Sequence, residues 1–124
     1  MSELSILLID DDPSINYLNK IVIERAEIGA RVIEHTDPQK VLEQLKSGEL
    51  KPSIILLDVN MPEVNGWDFM SSLHEFPSDF QPPRIILLTS SINPSDKKRA
   101  QLDTLIDAFH SKPLTIELVK EIAS

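Results

Sequence analysis

Short, wholly apolar runs alternate along this chain with longer segments in which apolar residues recur every three or four positions. Three of these runs are four residues long and cover residues 6–9, 54–57 and 85–88. Runs of this kind, bounded by polar residues and separated by helical patterns, are typical of the strands of a parallel sheet that is covered on both faces. The pattern therefore predicts an α/β fold with helices on both sides of a buried sheet.

Ten elements follow from this pattern, with strand and helix alternating five times. The predicted strands cover residues 5–10, 31–35, 53–58, 84–89 and 106–110. The predicted helices begin near residues 13, 38, 67, 94 and 115. Short connections between alternating strands and helices imply right-handed crossovers and a three-layer αβα sandwich. Five units are too few for a closed eight-stranded barrel, so the five-stranded parallel sheet is expected to be open.

Capping residues mark the beginning of three helices. Asp12, Asp37 and Asn93 each precede a proline, which is well suited to the first turn of a helix because no amide donor is missed there. Thr36 is an alternative cap for the second helix. The segment 76–83 contains three prolines and is expected to be a loop. The first helix is expected to bury an apolar stripe that consists of Ile15, Leu18, Ile21, Val22 and Ala26.

Composition and charge narrow the classes of protein that fit. With 124 residues, 41% of them hydrophobic, the chain is expected to form one domain over residues 1–124. Its formal net charge of −8 disfavours binding to nucleic acid, because phosphate backbones attract basic surfaces. The absence of cysteine excludes disulfides and thiolate metal sites. Neither an export signal nor a run near the roughly 20 apolar residues of a membrane span is visible, so a cytoplasmic protein without membrane insertion is expected.

Carboxylates follow two of the apolar runs. Asp10 and Asp11 come after the first strand and Asp58 ends the third, and the carboxyl ends of parallel strands meet at one edge of a sheet. Two unit charges about 4 Å apart repel by roughly 4 kcal/mol at an effective dielectric of about 20, so such a cluster favours a bound cation. Magnesium suits oxygen ligands, whereas the spaced ligands of a calcium-binding EF-hand loop are absent. Asp10 and Asp11 could instead simply end a strand, and Asp12 is expected to cap a helix.

A hydroxyl ends the predicted fourth strand, and a lysine follows the predicted fifth strand, at the same edge of the sheet. An aspartate carboxylate can accept a phosphoryl group, and the transfer needs positive charge on the phosphoryl oxygens. Thr89 offers a hydroxyl, although threonine is also a common strand residue. Lys112 could be an ordinary surface lysine, but the bond to Pro113 can be cis and can direct the lysine side chain inward.

Four motifs in this order resemble the receiver domain of two-component response regulators, the family of the bacterial chemotaxis regulator. The motifs are LLIDDD at residues 7–12, IILLDVNMPEVNG at 54–66, LLTSS at 87–91 and FHSKP at 109–113. Together they span the whole chain. The resemblance implies a flavodoxin-like sheet in the order 2-1-3-4-5 and a stand-alone, single-domain receiver.

The resemblance also implies a set of site residues around a magnesium ion. Asp58 would be the phosphoacceptor. Asp11 and Asp58 would bind Mg²⁺ directly, Asp10 would bind it through water, and Asn60 would bind it through its backbone carbonyl.

Further positions would bind the phosphoryl group or change conformation when it is present. Thr89 and Lys112 would bind the phosphoryl oxygens, and Phe109 would take the place of the family's switch aromatic, which is often tyrosine. Phe109 lacks the hydroxyl of tyrosine, so any switching would depend on packing, and the ring could equally well only fill the edge of the core. Asn60 and Ser91 stand at the two positions that flank the phosphoryl group in the family.

The resemblance implies a phosphorylation switch rather than a turnover enzyme. A histidine kinase or a histidine phosphotransfer protein would donate the phosphoryl group, and the signal would pass to an unknown downstream protein from a monomer or weak dimer. One alternative is a Mg²⁺-dependent phosphohydrolase of the haloacid dehalogenase type. Such enzymes need an aspartate two residues after the nucleophile, where this chain has Asn60. Another alternative is a binding module that is never phosphorylated.

Overall fold

The computed structural model describes residues 4–61, 65–90 and 92–124 of the chain. Residues 1–3, residues 62–64 of the second motif, and Ser91 lie outside the described residues. The strands are β1 (Ser5–Ile9), β2 (Arg31–His35), β3 (Ile54–Asp58), β4 (Arg84–Thr89) and β5 (Ile106–Ser111). The helices are α1 (Pro13–Arg25), α2 (Pro38–Ser47), α3 (Gly66–His74), α4 (Pro94–Leu102) and α5 (Ile116–Ala123).

The five strands form one parallel sheet in the order β2-β1-β3-β4-β5. The predicted order 2-1-3-4-5 is therefore confirmed. β1 lies between β2 and β3, and the register shifts once, between Ile85 and Ile86 where β4 pairs with β5. Because β1 and β3 are direct neighbours, the side chains that follow them lie side by side at the carboxyl edge of the sheet.

Alternate residues of the strands point to opposite faces of the sheet and build two apolar layers. One layer joins Leu7, Ile55 and Leu87 to residues of α2, α3 and α4, among them Val41, Phe69 and Ala100. The other layer joins Ile6, Leu56 and Ile86 to residues of α1 and α5, among them Ile23 and Val119. Two layers of helices on a buried sheet confirm the predicted three-layer αβα sandwich.

The helix starts follow the predicted capping residues. The side chain of Asp12 accepts a hydrogen bond from Ser14 N, that of Asp37 accepts from Gln39 N, and that of Asn93 accepts from Asp96 N. Asp37, not the alternative Thr36, therefore caps α2. None of the helices that the structure describes is long and apolar enough to cross a lipid bilayer.

The predicted apolar stripe of α1 is wrong in part. Leu18 is 55% exposed, whereas Asn16 and Ile23 are buried. Successive residues of an α-helix are rotated by about 100°, so Leu18 lies about 200° from Asn16 and points away from the sheet. The buried face of the helix includes Asn16, whose polar side chain the apolar pattern left out.

Candidate functional site

Three carboxylates converge at the carboxyl edge of the sheet. Asp10 directly follows β1, Asp58 is the last residue of β3, and Asp11 is next to Asp10 in the chain. One ligand oxygen from each of the three lies within 4.8 Å of the other two. Asp10 and Asp58 are both only 4% exposed, whereas Asp11 is exposed. The cluster therefore consists of two buried carboxylates and one that is open to solvent.

Backbone amides orient the two buried carboxylates. Asp10 Oδ1 accepts a hydrogen bond of 3.0 Å from Asp12 N, and Asp58 Oδ1 accepts one of 3.1 Å from Asn60 N. Each aspartate thus closes a tight turn at the end of its own strand. The amide two residues onward fixes the direction of the carboxylate and stabilises its negative charge.

Gly66 allows α3 to begin directly against this turn. A Cβ atom at Gly66 would lie 2.9 Å from Val59 Cα and 3.1 Å from the carbonyl oxygen of Asp58. Real Cβ atoms do not approach backbone atoms so closely, so a larger residue would displace the end of β3. Gly66 N also donates to Val59 O at 3.1 Å, which ties the start of α3 to the residue after Asp58.

Lys112 reaches the cluster from the other end of the chain. It follows β5, the Lys112–Pro113 peptide bond is cis, and Lys112 N donates to Thr89 O at 2.7 Å. Lys112 Nζ lies 3.0 Å from Asp58 Oδ1 and 3.3 Å from Asp10 Oδ2. The structure thus brings the predicted lysine onto both buried carboxylates.

The surroundings of Lys112 favour its charged form. Burial by itself lowers the pKa of the ammonium group, but the hydrogen bond and charge of Asp58, together with those of Asp10, act in the opposite direction and prevail. The net result is that the pKa of Lys112 is raised above its usual value. At neutral pH this side chain is therefore a fixed positive charge beside Asp58.

Asn60 links the loop after β3 to the loop after β4. Its Oδ1 accepts hydrogen bonds from Thr89 Oγ1 at 3.1 Å, from Ser90 N at 3.3 Å and from Ser90 Oγ at 3.3 Å. Thr89 is the last residue of β4 and is almost fully buried, whereas Asn60 and Ser90 are exposed. The predicted hydroxyl therefore lies next to the acidic cluster and is held there by the side chain of Asn60.

Asn16 is a positioning residue that sequence reasoning missed. Its Nδ2 donates to Asp10 O at 3.2 Å and to His35 O at 3.0 Å, so it joins the ends of β1 and β2 at Asp10. Its Oδ1 has no hydrogen-bond partner among the described residues. One signal could have revealed it: Asn16 stands seven residues before Ile23, on the same line of the helix surface.

Phe109 lies apart from the carboxylates and packs against α3. Its ring stacks on that of Trp67, with centroids 6.3 Å apart and planes inclined by 23°. The guanidinium of Arg99 in α4 lies over the other ring, 4.5 Å from the Trp67 centroid. The predicted switch aromatic therefore contacts Trp67 of α3, which in turn contacts Arg99 of α4.

The donor set of the cluster fits a hard divalent cation. Carboxylate oxygens are the ligands that Mg²⁺ and Ca²⁺ prefer, and no thiolate exists in the chain. The three carboxylates outnumber the single lysine, so a cation would relieve their mutual repulsion. A separate cavity of about 690 Å³ lies at the opposite end of the sheet, between the end of α2 and the loop 76–83, and includes none of these residues.

Comparison with known proteins agrees with the fold and the motifs. The family model of the response regulator receiver domain matches residues 6–124. The crystal structure of a two-component response regulator from Cytophaga hutchinsonii is 32% identical in sequence. It superimposes with a TM-score of 0.84, and the match covers 98% of this chain and 95% of that one.

Curated relatives include longer proteins. The sensor histidine kinase CheAY of Helicobacter pylori is 26% identical over 98% of this chain, which corresponds to 15% of the kinase. The probable C4-dicarboxylate response regulator DctR of Halalkalibacterium halodurans is 27% identical over 94% of this chain, which corresponds to 48% of that regulator. The chain thus spans less than half the length of these two relatives.

Proposed function

Because this chain belongs to the response regulator receiver domains, whose role is phosphoacceptor signalling, we propose that Asp58 is its phosphoacceptor. The observation that carries this assignment is the position of the Asp58 carboxylate. It ends β3, lies within 4.8 Å of carboxylate oxygens of both Asp10 and Asp11, and has Lys112 Nζ at 3.0 Å from its Oδ1. Among the three clustered aspartates, Asp58 is the one that both ends a strand and makes the shorter contact to the lysine.

In the proposed reaction, an oxygen of Asp58 attacks the phosphorus of a phosphohistidine. A new O–P bond forms, the N–P bond breaks, and the imidazole leaves and takes up a proton. Lys112 and Thr89 then bind oxygens of the phosphoryl group. Lys112 is suited to this because it is already charged and already positioned next to Asp58.

We assign a Mg²⁺ site to the same cluster. Asp11 and Asp58 would bind the ion directly, Asp10 through water, and Asn60 through its backbone carbonyl. When bound, the ion supplies positive charge that stabilises the transferred phosphoryl group. The support for this assignment is the convergence of three carboxylates on a partly open site.

The partners follow from the same proposal. A histidine kinase or a histidine phosphotransfer protein donates the phosphoryl group, and the phosphorylated form binds a further protein. We propose that residues 1–124 act as one domain in the cytoplasm, as a monomer or weak dimer, and assist only their own phosphorylation and dephosphorylation. No finding favours the phosphohydrolase alternative. The predicted switch would then operate through Thr89 and Phe109.

Phosphorylation with a small donor tests the assignment. The protein is incubated with acetyl phosphate and Mg²⁺, and the intact mass is measured. We expect a mass increase of one phosphoryl group that is lost without Mg²⁺ and in Asp58→Asn. The matched control is Asp79→Asn, which removes an exposed aspartate in the loop 76–83 at the other end of the sheet.

Two outcomes would contradict the proposal. One is a wild-type protein that gains no phosphoryl group under these conditions, and the other is an Asp58→Asn variant that still gains it. Repeated turnover of phosphomonoesters without accumulation of the modified protein would instead support the phosphohydrolase.

A further inference from the structure

Among the described residues, the side chain of Asn60 lies where hydrogen-bond donors of Thr89 and Ser90, at the end of β4, meet. Three donors converge on its single amide oxygen: the hydroxyl of Thr89, the amide of Ser90 and the hydroxyl of Ser90. The backbone N–H of Asn60 donates to Asp58 Oδ1 at 3.1 Å. Asn60 is thus bound to the phosphoacceptor by its backbone and to the phosphoryl-binding segment by its side chain.

We propose that Asn60 Oδ1 is a stand-in for a phosphoryl oxygen in the unphosphorylated protein, and that phosphorylation displaces it. Thr89 and Ser90 would exchange this neutral acceptor for an oxygen of the phosphoryl group on Asp58. The inference rests on the proposed function, since it requires that Asp58 carry the phosphoryl group. It assigns to the Asn60 side chain a role that its backbone carbonyl, the predicted metal ligand, does not have.

The number of hydrogens makes this an exchange rather than an addition. The Thr89 hydroxyl carries one hydrogen and the Ser90 amide carries one, so neither can donate fully to Asn60 and to a phosphoryl oxygen at the same time. The bonds to Asn60 must therefore weaken or break when the phosphoryl group is bound.

The strength of the acceptors sets the direction of the exchange. An amide oxygen has two lone pairs, so three donors cannot all form strong bonds to Asn60 Oδ1. The two bonds from Ser90 are 3.3 Å long, at the weak end of the range for hydrogen bonds. Bonds to a charged phosphoryl oxygen are shorter and about twice as strong as bonds between neutral groups. Thr89 and Ser90 therefore form stronger hydrogen bonds with the phosphoryl group than with Asn60, but their bonds to Asn60 must first be broken.

The exchange would couple phosphorylation to a movement of the segment that precedes α4. Before phosphorylation, Asn60 holds Thr89 and Ser90 to the loop after β3. Afterwards, the same donors follow the phosphoryl group. Asn60 therefore stabilises the resting arrangement and opposes activation.

Beryllofluoride, which mimics a phosphoryl group on aspartate, provides the test. It is titrated into wild type and Asn60→Ala at saturating Mg²⁺, so that a difference in metal affinity does not enter. Binding is followed by the amide resonance of Ser90 and by Trp67 fluorescence. We expect Asn60→Ala to bind beryllofluoride about three- to tenfold more tightly, since roughly one resting-state hydrogen bond no longer has to be broken.

The Ser90 resonance separates this mechanism from a general effect. Without beryllofluoride the amide of Ser90 should resonate at different positions in wild type and Asn60→Ala. With beryllofluoride bound, the two positions should converge, because the donors then share the same new acceptor. The matched control is Asn65→Ser, which removes an asparagine amide from the same loop but keeps a hydroxyl that can cap α3. Its affinity should remain within about twofold of wild type.

The outcomes distinguish failure of this inference from failure of the proposed function. Equal or weaker binding by Asn60→Ala, an unchanged Ser90 resonance in the free variant, or the same gain in Asn65→Ser would overturn the exchange alone. Failure of the wild type to bind, or undiminished binding by Asp58→Asn, would overturn the proposed function and the exchange with it.

Discussion

Lys112 shows how a single residue depends on the whole fold. Its ammonium group contacts the carboxylate of Asp10, 102 residues earlier in the chain, as well as that of Asp58. Its side chain is 25% exposed, so the contact is only partly shielded from solvent. The lysine offsets repulsion between two buried carboxylates, and it should therefore contribute to stability as well as to phosphorylation.

Replacement of Lys112 by methionine should separate these two contributions. Lys112→Met is expected to lower the free energy of unfolding by about 1–3 kcal/mol without Mg²⁺, because two buried carboxylates lose their cation. It should also reduce phosphorylation by acetyl phosphate. Urea denaturation and intact mass measure the two effects. Lys98→Met, a change on an exposed face of α4, is the control and should alter neither.

The raised pKa of Lys112 predicts how this difference depends on pH. A lysine whose pKa is raised by folding contributes stability that is fully present below its ordinary pKa of 10.5 and is lost as the pH rises through the folded value. The difference in unfolding free energy between wild type and Lys112→Met should therefore be constant from about pH 7 to pH 9. It should shrink above about pH 10.5. A difference that already disappears near neutral pH would show that the lysine is not charged as described.

Asn16 joins the ends of β1 and β2, and its replacement tests these contacts. Asn16→Ala removes the side-chain donor to the buried carbonyl of Asp10, and it removes one of two donors to the half-buried carbonyl of His35, which also accepts from Asp10 N at 3.2 Å. Unsatisfied buried carbonyls cost about 1–3 kcal/mol, so thermal or urea unfolding should show a loss of this size. Asn19→Ala, on the same helix and only half-buried, is the matched control and should cost less than about 0.5 kcal/mol. Equal losses in the two variants would mean that the hydrogen bonds of Asn16 do not stabilise the fold more than the contacts of an ordinary half-buried asparagine.

At the scale of elements, helices and strands meet through a few contacts that sequence periodicity does not reveal. Arg99 of α4, Trp67 of α3 and Phe109 of β5 form one stack. Trp67 is 8% exposed, so its ring is mostly inside the protein, and the guanidinium of Arg99 lies over the ring. Any movement of α4 or of Phe109 should therefore change the environment of this single tryptophan.

Loss of the Arg99 guanidinium should change the fluorescence of Trp67. Arg99→Gln is expected to change Trp67 emission and to lower the free energy of unfolding by about 0.5–1 kcal/mol, the usual size of a partly exposed cation–π contact. Lys98→Gln removes a neighbouring charge from the same helix without touching the stack. If Lys98→Gln changed the emission as much as Arg99→Gln, general charge on α4 would be responsible.

At the scale of the whole molecule, the acidic cluster adds to an already negative protein. The chain carries a formal net charge of −8, and three of its carboxylates share one small site with a single lysine. Repulsion within this site reduces the stability of the metal-free protein. Under the proposed function, the carboxylates that would bind the metal therefore oppose folding in its absence.

This conflict predicts opposite effects of one substitution with and without metal. Without Mg²⁺, Asp11→Asn should raise the free energy of unfolding by up to about 1 kcal/mol, because it removes an exposed charge that adds repulsion. Added Mg²⁺ should raise the melting temperature of wild type but have little effect on the variant. Calorimetry with and without Mg²⁺ measures both. Equal stabilisation of the two proteins by Mg²⁺ would show that Asp11 is not a ligand.

The sequence by itself determined the elements and the edge at which the polar side chains gather. Apolar runs, helix caps and prolines act on neighbouring residues, so the predicted strands at 31–35 and 84–89 have the observed bounds, and the sheet order followed from the resemblance. The same reasoning placed the aspartates, Thr89 and Lys112 at one edge, because each follows or ends a strand.

Only the tertiary structure decided how these elements face one another and which side chains touch. It turned α1 so that Asn16 is buried and Leu18 exposed, stacked Phe109 on Trp67, and placed the Asn60 side chain on Thr89 and Ser90. The physical reason is that local periodicity fixes the period of a helix but not its rotation. The rotation of a helix and the partner of a side chain depend on contacts between residues that are far apart along the chain.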